Sequence, residues 1–137
     1  MPRIVAIDYG GKRTGIAVTD PLQIIATALE TVPTKGLIPF LQEYRIKENI
    51  ESFVVGEPKN LDGSNTDATQ MVKEFVVSLR KAFPDLPIHL IDERFTSKMA
   101  FQSMIAGGTK KKDRRVKGNI DKISATIILQ DFMSRQH

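Results

Sequence analysis

Residues 3–20, RIVAIDYGGKRTGIAVTD, decide how this chain is read. The run up to Asp8 is apolar and β-branched, as in a buried strand. Residues 14–20 read as a second strand, and the glycine pair between them as a turn. Three readings of the turn stand: a loop that cradles a phosphate, a metal-binding carboxylate at a strand end, or a plain hairpin. A Walker A loop needs G-x-x-x-x-G-K-[ST]. Aligned on Gly11-Lys12, it finds Ala6 where the first glycine belongs and Arg13 where the hydroxyl belongs. G-x-G-x-x-G fails too, because Gly10 and Gly11 are adjacent and Thr14 precedes Gly15. A strand follows, so no helix N-terminus faces a phosphate. Asp8 remains. A lone carboxylate ending an apolar strand is costly unless its charge is compensated. Either the turn amides of residues 10–12 or a cation can supply that compensation.

Outward from this stretch the pattern continues. Asp20-Pro21 marks a turn, and residues 23–32 read as a third strand, so the first part is an antiparallel meander. Residues 34–49 place Leu37, Ile38, Leu41, Tyr44 and Ile46 at helical spacing, with Pro39 tolerated near the start. A short buried strand, 52–56, and the polar loop EPKNLDGSN follow. Residues 66–83 form an amphipathic helix with Met71, Val72, Phe75, Val76 and Leu79 on one side. Residues 88–92 are the fifth strand. Thr96 or Ser97 caps a helix to about Ala106. A basic segment leads to a last helix, 119–135, with Ile120, Ile123, Ile127 and Ile128 or Leu129 inward. The order βββαβαβαα implies an α/β fold: a mixed five-stranded sheet, three strands antiparallel and two parallel, with helices on both faces. The whole chain, 1–137, fits one domain.

Composition narrows the function. The 137 residues are 41% hydrophobic and 26% charged, and they include no cysteine. A disulfide, a thiolate zinc site and a cysteine nucleophile are therefore excluded. No apolar run approaches the ~20 residues of a membrane span. The N-terminus enters a strand at once, without a secretion signal, so a cytoplasmic location is expected. The net charge of +4 is unevenly placed. Residues 107–118, GGTKKKDRRVKG, carry Lys110, Lys111, Lys112, Arg114, Arg115 and Lys117 against Asp113 alone. Six cations less one acid make +5, leaving −1 for the rest of the chain. A near-neutral body with one basic segment points to an anionic partner.

Other acids join Asp8. HLIDERFTS puts Asp92 and Glu93 at the end of the fifth strand, and Asp121 opens the last helix. Acids at strand ends and a helix start can meet at one sheet edge. Oxygen donors with few histidines suit Mg²⁺ or Mn²⁺, not zinc. Bland alternatives stay open at this point: Asp92 or Glu93 paired with Arg94, and Asp121 as a first-turn acid favoured by the helix dipole. His89 reads as a packed strand residue, and a Ser-His-Asp hydrolase lacks its partners.

Three motifs, IDYGGKRTGIAVTD, DERFTS and NIDKISATIILQDF, together with the loop VVGEPKNLDGS, resemble the YqgF family, also called RuvX, of the ribonuclease H-like superfamily. The match runs through nearly the whole chain in order. It implies a ribonuclease H-like nuclease domain acting on structured nucleic acid, either structured RNA or branched DNA. The family is described both as maturing the 5′ end of pre-16S ribosomal RNA and as a Holliday junction resolvase of DNA recombination. On its pattern the catalytic, metal-binding acids fall on Asp8, Glu93 and Asp121, with Asp92 the alternative to Glu93. Glu57 stands where many members have an apolar residue. A fourth acid near Asp121 is missing, which leaves one or two ions open. Lys12, Arg13 and Arg94 are read as phosphate contacts. The 107–118 cations are read as a mobile segment along the nucleic-acid backbone, with salt-sensitive binding. Aromatics are scarce there, so backbone and shape recognition is expected.

The main reading is therefore a Mg²⁺- or Mn²⁺-dependent endonuclease, a monomer or homodimer without a membrane partner. A non-catalytic nucleic-acid-binding ribosome-assembly factor is the second reading. A small phosphotransferase of the actin and sugar-kinase branch ranks last, because 137 residues are too few for a two-lobed cleft.

Overall fold

A computed structural model describes residues 2–95 and 114–135, with side chains for 2–94 and 120–135. Five strands form one sheet: β1 (Arg3–Asp8), β2 (Arg13–Thr19), β3 (Ala26–Pro33), β4 (Ile50–Glu57) and β5 (Ile88–Asp92). Their spatial order is β3-β2-β1-β4-β5. β1 pairs antiparallel with β2, and β2 with β3, whereas β4 runs parallel to both β1 and β5. The expected mixed sheet is therefore present. Among the described residues, helices α1 (Leu37–Lys47), α2 (Asp67–Ala82) and α3 (Arg114–Arg135) accompany it.

Side-chain alternation along the strands sorts the core into two layers. Val5, Ile7, Ile16, Val18, Phe53 and Val55 meet buried residues of α1 and α2 on one face. Ile4, Ala6, Ala17, Val54 and Ile91 meet Ala125, Ile128 and Leu129 of α3 on the other. Ala6 and Ala17 are small, so α3 settles close to the sheet.

Several boundaries and packing details differ from expectation. The third strand starts at Ala26, not residue 23. Asp20 accepts hydrogen bonds from the backbone N–H groups of Leu22, Ile24 and Ile25, and Gln23 takes φ 58°. These bonds bind residues 20–25 into a turn and leave Leu22, Ile24 and Ile25 exposed. A 3-10 turn, Thr34–Gly36, precedes α1, and Ile46 is exposed, not packed. On α2, Thr66 caps the helix and Met71 lies largely outside the core. The last helix starts at Arg114, five residues before the expected Asn119. Arg114, Arg115 and Lys117 are good helix formers and carry the helix through Gly118. Asp121 accordingly sits well inside α3, and Ile123 is exposed. The helix expected from Thr96 or Ser97 to Ala106, and Lys110, Lys111 and Lys112, lie outside the described residues. Among the described residues no helix is long and apolar enough to cross a membrane.

Candidate active site

The β1–β2 turn is held by its own atoms. Thr34 Oγ1 donates to the Gly10 carbonyl at 2.6 Å and shares a 2.9 Å hydrogen bond with Thr14 Oγ1. The Thr34 N–H donates to the Lys12 carbonyl at 3.0 Å. A Cβ on Gly10 would collide with the Arg13 carbonyl. The glycine serves the tightness of the turn, and Lys12 is left exposed at its tip.

Asp8 ends β1, in phase with Ile4 and Ala6, so it belongs to the face that α3 covers. Glycines flank it on both neighbouring strands. Gly15 of β2 is its cross-strand partner. Gly56 of β4 follows Val55, the partner of Ile7. Each glycine seats another acid. At Gly15 a Cβ would strike the backbone carbonyl of Asp121. At Gly56 a Cβ would stand 2.6 Å from Glu93 Oε1 and 2.8 Å from Ile128 Cδ1. Glu93 is only 8% exposed, in the 3-10 turn that follows β5. Asp8, Glu93 and Asp121, which are far apart in sequence, thus share one end of the sheet on the α3 side. Asp121 Oδ2 accepts a 2.8 Å hydrogen bond from Arg13 Nε, an ion pair between β2 and α3.

Donor chemistry suits a hard divalent cation: three carboxylates on separate elements, without histidine or sulfur. Among the described residues, however, no three acids close on a single point. The structure brings the three to neighbouring positions without making a finished cage. Asp92 goes elsewhere. Its two carboxylate oxygens accept from Arg94 Nε and Nη2, the latter at 2.7 Å, and Oδ1 also accepts from the Arg94 N–H. These bonds hold the Asp92 carboxyl below its ordinary range, with the Arg94 side chain the largest cause. Arg94 also donates to the Leu61 carbonyl at 3.3 Å, tying β5 to the loop after β4. The ion pair considered for Arg94 is therefore with Asp92. His89 lies toward the other end of β5, its ring 5.2 Å from that of Phe132.

Two features escaped the sequence reading. The seats at Gly15 and Gly56 carried an available signal, since an isolated glycine in a strand marks a close approach. Ser124, one turn beyond Asp121, is fully buried with its hydroxyl lacking a hydrogen-bond partner. Nothing in its spacing distinguishes it from a core serine.

Comparison with known proteins gives the family and the fold. The RuvX family, described as Holliday junction resolvase, matches residues 2–135. The chain belongs to the RuvX family. A relative from Flavobacterium psychrophilum is 52% identical over 136 residues, covering 99% of each chain. One from Flavobacterium johnsoniae is 54% identical over 134 residues, covering 98% of this chain and 97% of its own. Both are named as candidate pre-16S rRNA nucleases. Among solved structures, Thermus thermophilus RuvC in complex with a Holliday junction substrate superposes with a TM-score of 0.58 at 16% identity, over 98% of this chain and 95% of that one. That likeness shows the shared fold, which is ribonuclease H-like as expected. This RuvX-family chain is thus a nuclease by family, and its acids occupy one edge of that fold.

Proposed function

We propose that this RuvX-family protein is a divalent-metal-dependent endonuclease of structured nucleic acid, with the 5′ end of pre-16S ribosomal RNA as its substrate. One observation carries the reading: the glycine seats at positions 15 and 56 on either side of Asp8, which put Asp121 and Glu93 beside it. Asp8, Glu93 and Asp121 would hold Mg²⁺ or Mn²⁺. When bound, such an ion activates water and stabilises the departing oxygen in phosphodiester cleavage. The chain's own groups do the rest. Burial of Glu93 keeps its carboxylate on a fixed support rather than a mobile one. Arg13 neutralises Asp121 and stands at the edge where a phosphate would enter. Lys12, exposed on the braced turn, offers a second cation to the backbone. The 107–118 segment adds charge for binding that weakens steeply with salt.

The family description, Holliday junction resolvase, favours a second substrate, branched DNA. Symmetric cutting of a junction calls for a two-fold dimer. The test pairs wild type with Asp8→Asn on precursor ribosomal RNA and on a four-way junction, with Mg²⁺ or Mn²⁺ added or chelated. Metal-dependent cleavage that falls by at least about a hundredfold in Asp8→Asn is expected, on the scale of lost metal-assisted charge stabilisation. Equal cleavage by both proteins rejects the assignment. The better substrate, with the oligomeric state in solution, decides between RNA and junction.

A further inference from the structure

On the other side of the same sheet edge lies an open groove of about 330 Å³ between α1, α2 and the β1–β2 turn. That size falls at the lower end of small-ligand sites, about 300–1,000 Å³. Tyr9 forms one wall, its ring stacked on the buried Phe75 with centroids 4.6 Å apart. Leu37 and Ile38 supply the apolar floor, and Glu74 and Ser78, one turn apart on α2, the polar rim.

Three relations join this groove to the candidate active site. Tyr9 follows Asp8 directly, and neighbouring strand-end residues address opposite faces. The turn that presents Lys12 adjoins the groove, since a Cβ on Gly11 would lie 3.2 Å from Cε of Met71, a lining residue. Thr34, which braces that turn, lines the groove as well. Together these features suit a nucleotide: a cation on the adjoining turn for the phosphate, an aromatic ring for a base, and an acceptor on the rim. Stacking on aromatic side chains is how unpaired bases are held, and their edges are then read by hydrogen bonds. A carboxylate acceptor on the rim suits a base edge that only donates there, which is the N1–H and amino side of guanine. An α-helix or peptide strand would not use the Lys12 cation.

We propose that this groove is a nucleobase subsite that takes an unpaired guanine from the strand engaged at Asp8. The inference deepens the nuclease reading and rests on it for the identity of the strand. It places Tyr9 and Glu74 as substrate contacts, the former for stacking and the latter for base choice.

The test measures binding, so it does not depend on cleavage. The full chain carrying Asp8→Asn is titrated, by fluorescence anisotropy without metal, against short oligouridines bearing a single guanosine, adenosine or abasic site. The guanosine probe should bind about tenfold tighter than the abasic probe, as one stacked base contributes. In that background Tyr9→Leu should erase the gap and Tyr9→Phe should keep it. Glu74→Gln should equalise guanosine and adenosine while both stay above the abasic probe. Identical affinity for guanosine and abasic probes overturns the subsite. So does a Tyr9→Leu protein, folded by its melting curve, that weakens both probes equally. Base preference in the Asp8→Asn chain, with no metal-dependent cleavage by the wild type, refutes the nuclease reading and leaves the subsite standing.

Discussion

Gly56 has no room for a side chain, and this makes it the sharpest probe of the site. A Cβ there would press on Glu93 Oε1 and Ile128 Cδ1 at 2.6 and 2.8 Å. Overpacking of this kind costs about 1–3 kcal/mol. Gly56→Ala should lose that much in urea unfolding, and its cleavage should fall at least about tenfold as Glu93 is displaced. Wild-type cleavage in a folded Gly56→Ala protein would remove Glu93 from the site. Arg13 poses a different question. On the proposed function, its guanidinium and a bound cation would compete for the Asp121 carboxylate. Arg13→Gln should therefore bind Mn²⁺ several-fold more tightly, on the scale of one exposed charge pair, while cleaving more slowly. Weaker Mn²⁺ binding, read by calorimetry, would assign Arg13 the opposite role. Residue types alone marked Asp8 as a carboxylate that needs compensation, by turn amides or by a cation, and only the family resemblance proposed it as a metal ligand. The Arg13–Asp121 pair was not, since its partners stand 108 positions apart in sequence.

At the scale of elements, the end of β5 divides two adjacent acids. Asp92 belongs to the Arg94 ion pair, while Glu93, one residue on, sits against Gly56 beneath α3. The residue pattern DER left the choice between them open. A one-residue change of strand phase exchanges faces, so only the observed register assigns them. The Asp92 carboxyl is held below its ordinary 3.8, chiefly by the Arg94 side chain. A depressed folded-state pKa contributes stability that is complete above the unfolded value and lost as pH falls through the folded one. Wild type should therefore melt above Asp92→Asn at neutral pH. The gap should close only below about pH 4. A gap independent of pH would mean that the carboxylate charge is not what Arg94 uses. Boundaries were read less well than elements. β3 begins late because the Asp20 side chain caps a turn through four consecutive apolar and polar residues, 22–25. α3 begins early because Gly118 does not interrupt it.

Over the whole molecule, α3 is the element that completes the edge, and its position depends on packing. Leu129 is fully buried against the layer formed by Ile4, Ala6, Ala17, Val54 and Ile91. Leu129→Ala should cost about 2–5 kcal/mol in denaturant unfolding. Its cleavage, assayed well below the melting temperature, should also fall as Asp121 loses its seat over Gly15. Unchanged stability would show that α3 is not docked through this layer. By itself the sequence determined the order of the described strands and helices, the mixed sheet with helices on both faces, and the hard-oxygen character of the acids. Those properties follow from local periodicity, turn chemistry and side-chain type, which act over a few residues. Tertiary structure alone decided that Gly15 and Gly56 seat Asp121 and Glu93, that Arg94 claims Asp92, and that Tyr9 and Phe75 line a groove behind the edge. Each of those facts joins residues from different elements, and their closeness arises only when strand register and helix packing are satisfied together.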